Sequence, residues 1–151
     1  MLIFGLTINK KQMRQFIQLM IFDEEKNHLL AVKRAESDTS FGGMWGLPGG
    51  GVIDGETIDF AAARELKEET NLEIKHISSE PFFELTPTLK GTQIHLIVKS
   101  ASVQPGELNP NDKDIETISW ITPEKLISSF IAFGIPTEAI TKFQSKLKLL
   151  K

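Results

Sequence analysis

Three glutamates in one short stretch, Glu65, Glu68 and Glu69, stand at positions i, i+3 and i+4 of the run Arg64–Glu69. On a helix, residues three and four apart share a face, so these carboxylates would project into one patch. Like charges held that close destabilise one another unless a cation sits among them. Hard oxygen donors select Mg²⁺ or Mn²⁺ over softer metals, and magnesium divides its coordination among one or two carboxylates, water and substrate phosphate. Upstream, the run PGGGVIDGE from Pro48 to Glu56 is dense in glycine, whose bare backbone can approach a ligand or a metal closely. Glu56 precedes Arg64 by eight residues across the helix start, a spacing that lets the two pair and hold the loop against the helix. A helix rich in Glu and Lys is by itself most often a solvated face. The glycine loop in front of it makes this run a candidate metal site.

The elements that must position these side chains can be read along the chain. Gln15–Phe22 and His28–Lys33 are rich in apolar and β-forming residues and lie at hairpin distance, which predicts paired strands. A polar loop, Arg34–Gly43, leads to a short extended piece at Met44–Leu47 and then to the glycine-rich turn. Thr57 is a suitable N-cap, and Asp59 in the first turn complements the helix dipole. Helical periodicity runs from Ile58 to Thr70, with Phe60, Ala63 and Leu66 expected on the buried side and Asn71 as a left-handed C-cap. Strands are expected at Leu72–Ile77, Pro81–Leu85, Thr92–Val103 and Ile115–Ile121. Pro123 opens a helix over Glu124–Phe130, and an amphipathic helix follows from Thr137 to Leu150. Strands interspersed with helices predict an α/β sandwich.

Composition narrows the function classes. The chain has 151 residues, 40% hydrophobic and 25% charged, as expected for one ordinary globular domain spanning residues 1–151. A net charge of −3 supplies no basic field for a nucleic acid polymer, and no apolar run reaches the ~18 residues of a membrane span. The absence of cysteine excludes disulfides and cysteine-ligated zinc. The N-terminal MLIFGLTINKK has no basic residues ahead of its apolar run, which reads as a strand or a loose terminus rather than a signal peptide and leaves a cytoplasmic location as the expectation. His28, His76 and His95 share no spacing and are expected to be structural or exposed; Lys142, Lys146, Lys148 and Lys151 read as the solvated face of the last helix.

Gly50, Glu56, Arg64, Glu65, Leu66, Glu68, Glu69 and Leu72 fit the pattern G-x5-E-x7-R-E-U-x-E-E-x-G-U, where U is a bulky aliphatic residue; Asn71 replaces the last glycine. The chain thereby resembles the Nudix family, MutT-like subgroup. The lead-in Trp45, Leu47, Pro48, Gly49, Gly50 and the later Trp120–Leu126 are similar to the family as well. The resemblance implies a Nudix α/β/α sandwich around a mixed β-sheet and metal-dependent hydrolysis of a nucleoside diphosphate linked to a further group. It further implies Mg²⁺ or Mn²⁺ on Glu65, Glu68 and Glu69 with the Gly50 carbonyl as a further ligand, and Arg64 and Glu56 as the pair that orients the glutamates. A base for the attacking water is expected from Glu65, Glu69, Asp114 or Glu116.

For the substrate, Arg34 at a strand end is either a phosphate contact or a surface arginine. Gly49 is expected against the substrate, Trp45 and Trp120 are expected in the core, with base stacking the alternative for Trp45 beside the glycine loop, and Phe41 can cover the site. Thr137 occupies the place where oxidised-guanine specialists carry an asparagine. Within the resemblance a nucleoside triphosphate, cleaved to monophosphate and pyrophosphate, is the expected small-molecule partner. An ADP-ribose or nucleotide-sugar pyrophosphatase, for which Pro87 lies fifteen residues past the box, and a non-catalytic nucleotide-binding regulator are the alternatives. A homodimer is left open.

Overall fold

The computed structural model describes residues 13–25, 27–37, 42–132 and 134–150. The N-terminal segment, Phe41 and Lys151 lie outside them. The elements run β1 (Gln15–Met20), β2 (Leu29–Arg34), β3 (Trp45–Gly46), β4 (Gly49–Gly51), α1 (Ile58–Thr70), β5 (Ile74–Ile77), β6 (Phe83–Leu85), β7 (Thr88–Leu89), β8 (Thr92–Gln93), β9 (His95–Val103), β10 (Ile115–Ile121), α2 (Pro123–Ala132) and α3 (Thr137–Lys148).

β1 lies between β4 and β9, parallel to β9 and antiparallel to β4, and the far edge of β9 carries both β5 and β6. β2 lies between β10 and β3 in a second, antiparallel sheet. Strands buried on both faces are apolar almost throughout rather than alternating, and β1 and β2 have that character. Successive residues of β1 serve opposite layers. Ile17, Leu19 and Ile21 pack with Ala61, Ala62 and Leu66 of α1, whereas Met20 packs with Leu126 of α2 and Phe143 of α3. The result is the expected α/β/α sandwich on a mixed sheet. Phe143 anchors the second layer, with Phe82, Phe83 and Phe130 edge-on to it at 5.9, 5.7 and 5.3 Å.

Four expectations change. β1 and β2 do not form a hairpin: they meet at the Phe22–Leu29 bridge and the Leu30 N–H to Ile21 carbonyl bond, then diverge into different sheets. Two-sided burial is the reason, since each strand is central and both its edges are taken by other partners. The glycine-rich stretch is not only a turn, because Gly49–Gly51 pair in register with Gln18, Ile17 and Phe16. α1 turns a different face inward: Ala61, Ala62, Leu66, Glu69 and Thr70 are buried, while Phe60 is 63% exposed and Ala63 is exposed. Small alanines allow the helix to settle closely on the glycine strand, and that orientation carries Glu69 into the interior. Trp120, expected in the core, is 37% exposed. The helix ends follow the expected chemistry, with Thr57 Oγ1 accepting from Phe60 N–H at 3.1 Å and Asn71 at φ 70°.

Gly49 shows how tight the β4 layer is. Its φ is +155°, and a Cβ there would collide with the Ile17 carbonyl oxygen and lie 2.8 Å from Gln18 Cα, both backbone atoms that cannot turn aside. Gly49→Ala should therefore lower the unfolding free energy by at least about 2 kcal/mol. Gly46→Ala, where nothing lies within 4 Å, should change it little. Equal melting temperatures for the two variants would contradict this packing.

Candidate active site

Each glycine of β4 meets a different side chain of α1. Gly49 N–H donates to Glu69 Oε1 at 2.8 Å. A Cβ on Gly50 would lie 2.5 Å from the Glu65 carboxylate. The Gly51 carbonyl accepts from Arg64 Nη2 at 3.1 Å. Arg64 is the hub of the cluster. Its Nε and Nη2 grip the two oxygens of Glu56 at 2.7 and 2.9 Å, and its Nη1 reaches Glu65 at 2.9 Å and Glu68 at 3.5 Å. The fork geometry of a guanidinium suits this two-point grip. Glu56 also accepts from Ile53 N–H at 2.8 Å, which closes the turn in front of the helix. Arg64 and the Ile53 amide hold the Glu56 carboxyl down to about 2. Hydrogen bonding to Glu56 raises the pKa of Arg64 in turn.

Glu69 is in a different situation. It is fully buried, and Arg34 Nη2, from the end of β2, lies 3.0 Å from its Oε2. That contact is within ion-pair distance, yet among the described residues Oε2 accepts no properly aligned hydrogen bond. Burial pushes the Glu69 carboxyl up to about 8 against the opposing pull of Arg34 and the Gly49 amide, and Glu65 and Asp112 add repulsion. Burial likewise raises Glu65, the Arg64 contact opposing it.

These residues fit a divalent cation. The donors are all hard oxygens, and a buried carboxylate oxygen without a hydrogen bond is a group that a metal would satisfy. Among the described residues the carboxylates do not already converge on one ion-sized position. The two arginines account for this, Arg64 drawing Glu65 and Glu68 to itself while Arg34 holds Glu69.

The structure sorts the remaining expected site residues. Arg34, Gly49 and Gly50 line a cavity of about 200 Å³ whose other walls include Phe16, Met44, Leu96 and Phe130. Trp45 does not line it; the indole packs against the α2/α3 layer with Lys125 Nζ 5.1 Å from the ring centre. Thr137 is exposed at the start of α3, and Ile135, two residues earlier, takes the place on the cavity wall. Glu116 is drawn to Lys33 at 3.3 Å; Lys33 and Arg34 are consecutive on β2 and so face opposite sides. Asp114 joins the fold through its backbone, its N–H donating to Asp112 Oδ1 and its carbonyl accepting from Ala35.

The acid of that loop whose charge Glu69 feels is Asp112, which the sequence reading passed over. Asn109 and Asn111 donate backbone N–H groups to the Thr70 and Glu68 carbonyls at 3.0 Å, laying the loop across the end of α1. The signal available was the clustering of Asp112, Asp114 and Glu116 before β10, with no local rule to choose among them. His95 is buried and bonded to Glu84 at 2.7 Å, and His28 pairs with Asp23 at 3.1 Å. Lys146 is not simply solvated, since it donates to the Phe82 carbonyl at 2.7 Å.

A NUDIX domain model matches residues 12–140, and the chain belongs to that family. A MutT-like protein of Streptomyces ambofaciens is 30% identical over 68% of this chain and 60% of its own length. An RNA pyrophosphohydrolase of Rickettsia africae is 28% identical over 80% of this chain and 81% of its own. The chain spans 57% to 60% of the first curated relatives it matches. In three dimensions the MutT protein of Methanosarcina mazei superposes with a TM-score of 0.70 at 21% identity, covering 88% of this chain and 94% of that one, which establishes the likeness of fold. No helix among the described residues is long and apolar enough to cross a membrane.

Two pH effects follow. A carboxyl raised to about 8 keeps its proton at neutral pH, so a cation that binds Glu69 must displace it. Titration of Mg²⁺ at pH 7 in buffers of different ionisation enthalpy should show close to one proton released per ion, a release that disappears above pH 8 and in Glu69→Gln. Glu56 has the opposite sign. Its folded value of about 2 lies below the ordinary value of 4.5, so its stabilising contribution is complete above 4.5 and is lost as pH falls toward 2. Glu56→Gln should flatten the acid limb of the stability curve across that window; an unchanged limb would remove the Arg64 pairing as its cause.

Proposed function

We propose that this protein is a metal-dependent pyrophosphohydrolase whose preferred substrate is a nucleoside triphosphate, cleaved to the monophosphate and pyrophosphate. The observation that carries this reading is continuity: Gly49 and Gly50 both border the acidic cluster and line the apolar cavity. A ligand with phosphates over the carboxylates thus has its organic end in that cavity. Its volume of about 200 Å³ is below the roughly 300–1,000 Å³ of whole small-molecule sites, which suits one ring system with sugar and phosphates outside.

Glu65, Glu68, Glu69 and the Gly50 carbonyl would hold the divalent ion, Mg²⁺ or Mn²⁺. When bound, such an ion supplies charge neutralisation for the diphosphate and lowers the pKa of a water. Arg34 presents its remaining guanidinium donors to a phosphate oxygen at the cavity rim. Arg64, fixed through Glu56 and the Gly51 carbonyl, holds Glu65 in place and makes a longer contact with the exposed Glu68. We assign the proton of the attacking water to Glu65, whose burial raises its affinity for a proton. Pro87 on the cavity wall supports a second reading, ADP-ribose or another nucleotide sugar.

The test is a substrate panel with Mg²⁺: nucleoside and deoxynucleoside triphosphates, ADP-ribose, NADH, dinucleoside polyphosphates and a 5′-triphosphorylated oligoribonucleotide. Pyrophosphate release from a triphosphate is expected, and Glu69→Gln should lower kcat by roughly a hundredfold or more with an unchanged circular dichroism spectrum. Tight binding of one compound without turnover of any would make the protein a nucleotide sensor instead.

A further inference from the structure

We infer that Gln18 is the specificity-determining residue of the cavity, and that it recognises a nucleobase carrying an exocyclic amino group. This rests on the reading of the site given above and adds the class of base. Gln18 lies on β1 directly across from Gly49, whose amide holds Glu69, so it stands one strand away from the acidic cluster. Apart from Arg34, it is the only residue with a polar side chain among the described residues that line the cavity. Its strand neighbours Phe16 and Ile17, and Leu19 and Met20 beyond, are all apolar.

A carboxamide in such a place should find a partner, since an unsatisfied buried polar group costs on the order of 1–3 kcal/mol. Among the described residues Gln18 Oε1 finds none, although it is shielded from water. A residue that breaks the local rule at the wall of a binding cavity points to a ligand that completes it. The missing partner is a donor, because the orphaned atom is an acceptor.

Size narrows the donor further. Behind the main cavity lies a recess of about 20 Å³, and Gln18, Leu96, Phe130 and Ile135 line both spaces. About 10–15 Å³ is enough for one water-sized group, so the recess accommodates an amino group and no ring. Oε1 itself is shielded, so the carboxamide would turn about its last torsion to present it at the recess, where an exocyclic amino group, projecting beyond its ring, can meet it. Adenine, cytosine and guanine carry such a group, while uracil, thymine and hypoxanthine do not. The carboxamide also suits an amino group with an adjoining ring nitrogen, the pairing that Gln makes with adenine N6 and N7 elsewhere.

The experiment compares nucleotides with and without that group, ATP against purine riboside triphosphate, where H replaces it, and CTP against UTP, where an oxo group and an adjoining N3–H replace it, in kcat/KM with Mg²⁺. Calorimetric Kd values for their α,β-methylene analogues are measured in parallel. Wild type should favour the amino-bearing member of at least one pair by about tenfold or more, in KM and in Kd. Gln18→Leu should bring that ratio to within about twofold, and Gln18→Glu, which keeps an acceptor, should retain it. Because Gln18→Leu removes an unsatisfied oxygen, its melting temperature should not fall; a fall with the preference intact would assign Gln18 a merely structural role and overturn the inference. Equal wild-type ratios in both pairs would overturn it too. Selection without turnover would count against the hydrolase and for Gln18, so the two readings fail separately.

Discussion

The close approach of α1 to the glycine strand β4 is the constraint on which the rest of the molecule depends. Three consecutive residues without side chains let the helix come near enough for Gly49 to donate to Glu69, Gly50 to lie against Glu65, and Gly51 to accept from Arg64. The same approach brings Ala61, Ala62 and Leu66 onto β1 and so builds one of the two cores. Packing and site are therefore one contact. The acids sit where they do because the helix has nowhere else to rest.

That contact creates an electrostatic problem and divides it between two arginines. Arg64 serves the outer part of the cluster, where Glu56 satisfies two of its donors and leaves the remaining N–H groups for Glu65 and Glu68. Arg34 approaches from the other sheet and lies 3.0 Å from Glu69. Its contact lacks hydrogen-bond alignment and does not compensate the burial of the carboxylate, which is why Glu69 favours its protonated form near neutrality. A site left with one uncompensated buried oxygen is predisposed to take a cation, because a divalent charge supplies what a misaligned guanidinium does not.

Legibility in the sequence followed the range of the interactions. The helix from Ile58 to Thr70, its Thr57 cap and its Asn71 terminus depend on neighbours within four residues and could be read directly. The pairing of Glu56 with Arg64 spans one loop and was readable from spacing together with family resemblance. The buried face of α1 was not, because Phe60 and Ala63 satisfy apolar periodicity as well as Ala61 and Ala62 do. Only the glycine strand, brought alongside by the fold, decides in favour of the small residues. β1 and β2 looked like a hairpin for a similar reason. Their apolar runs specify burial, and the identity of their partners is set by strands up to 92 residues away, as in the pairing of Leu29 with Ile121.

The division between legible and illegible parts coincides with a division of function. The acidic cluster is assembled from residues 49 to 69, so its chemistry is encoded locally. The cavity is assembled from β1, the end of β2, Met44 to Gly50, the segment around Pro87 to Leu96, and Phe130 to Ile135, which only the tertiary fold brings together. Arg64 and Glu56 do not line it. Substrate choice can thus vary while the phosphate chemistry stays fixed. Trp45 and Thr137 illustrate the difficulty, as both are near the cavity in sequence terms yet face away from it. Gln18, which no motif singles out, becomes notable only once its oxygen is seen to be shielded and without a donor. A buried polar group in the wrong company is a three-dimensional signal, and it identifies the part of the molecule where binding to a ligand, rather than folding, accounts for the residue.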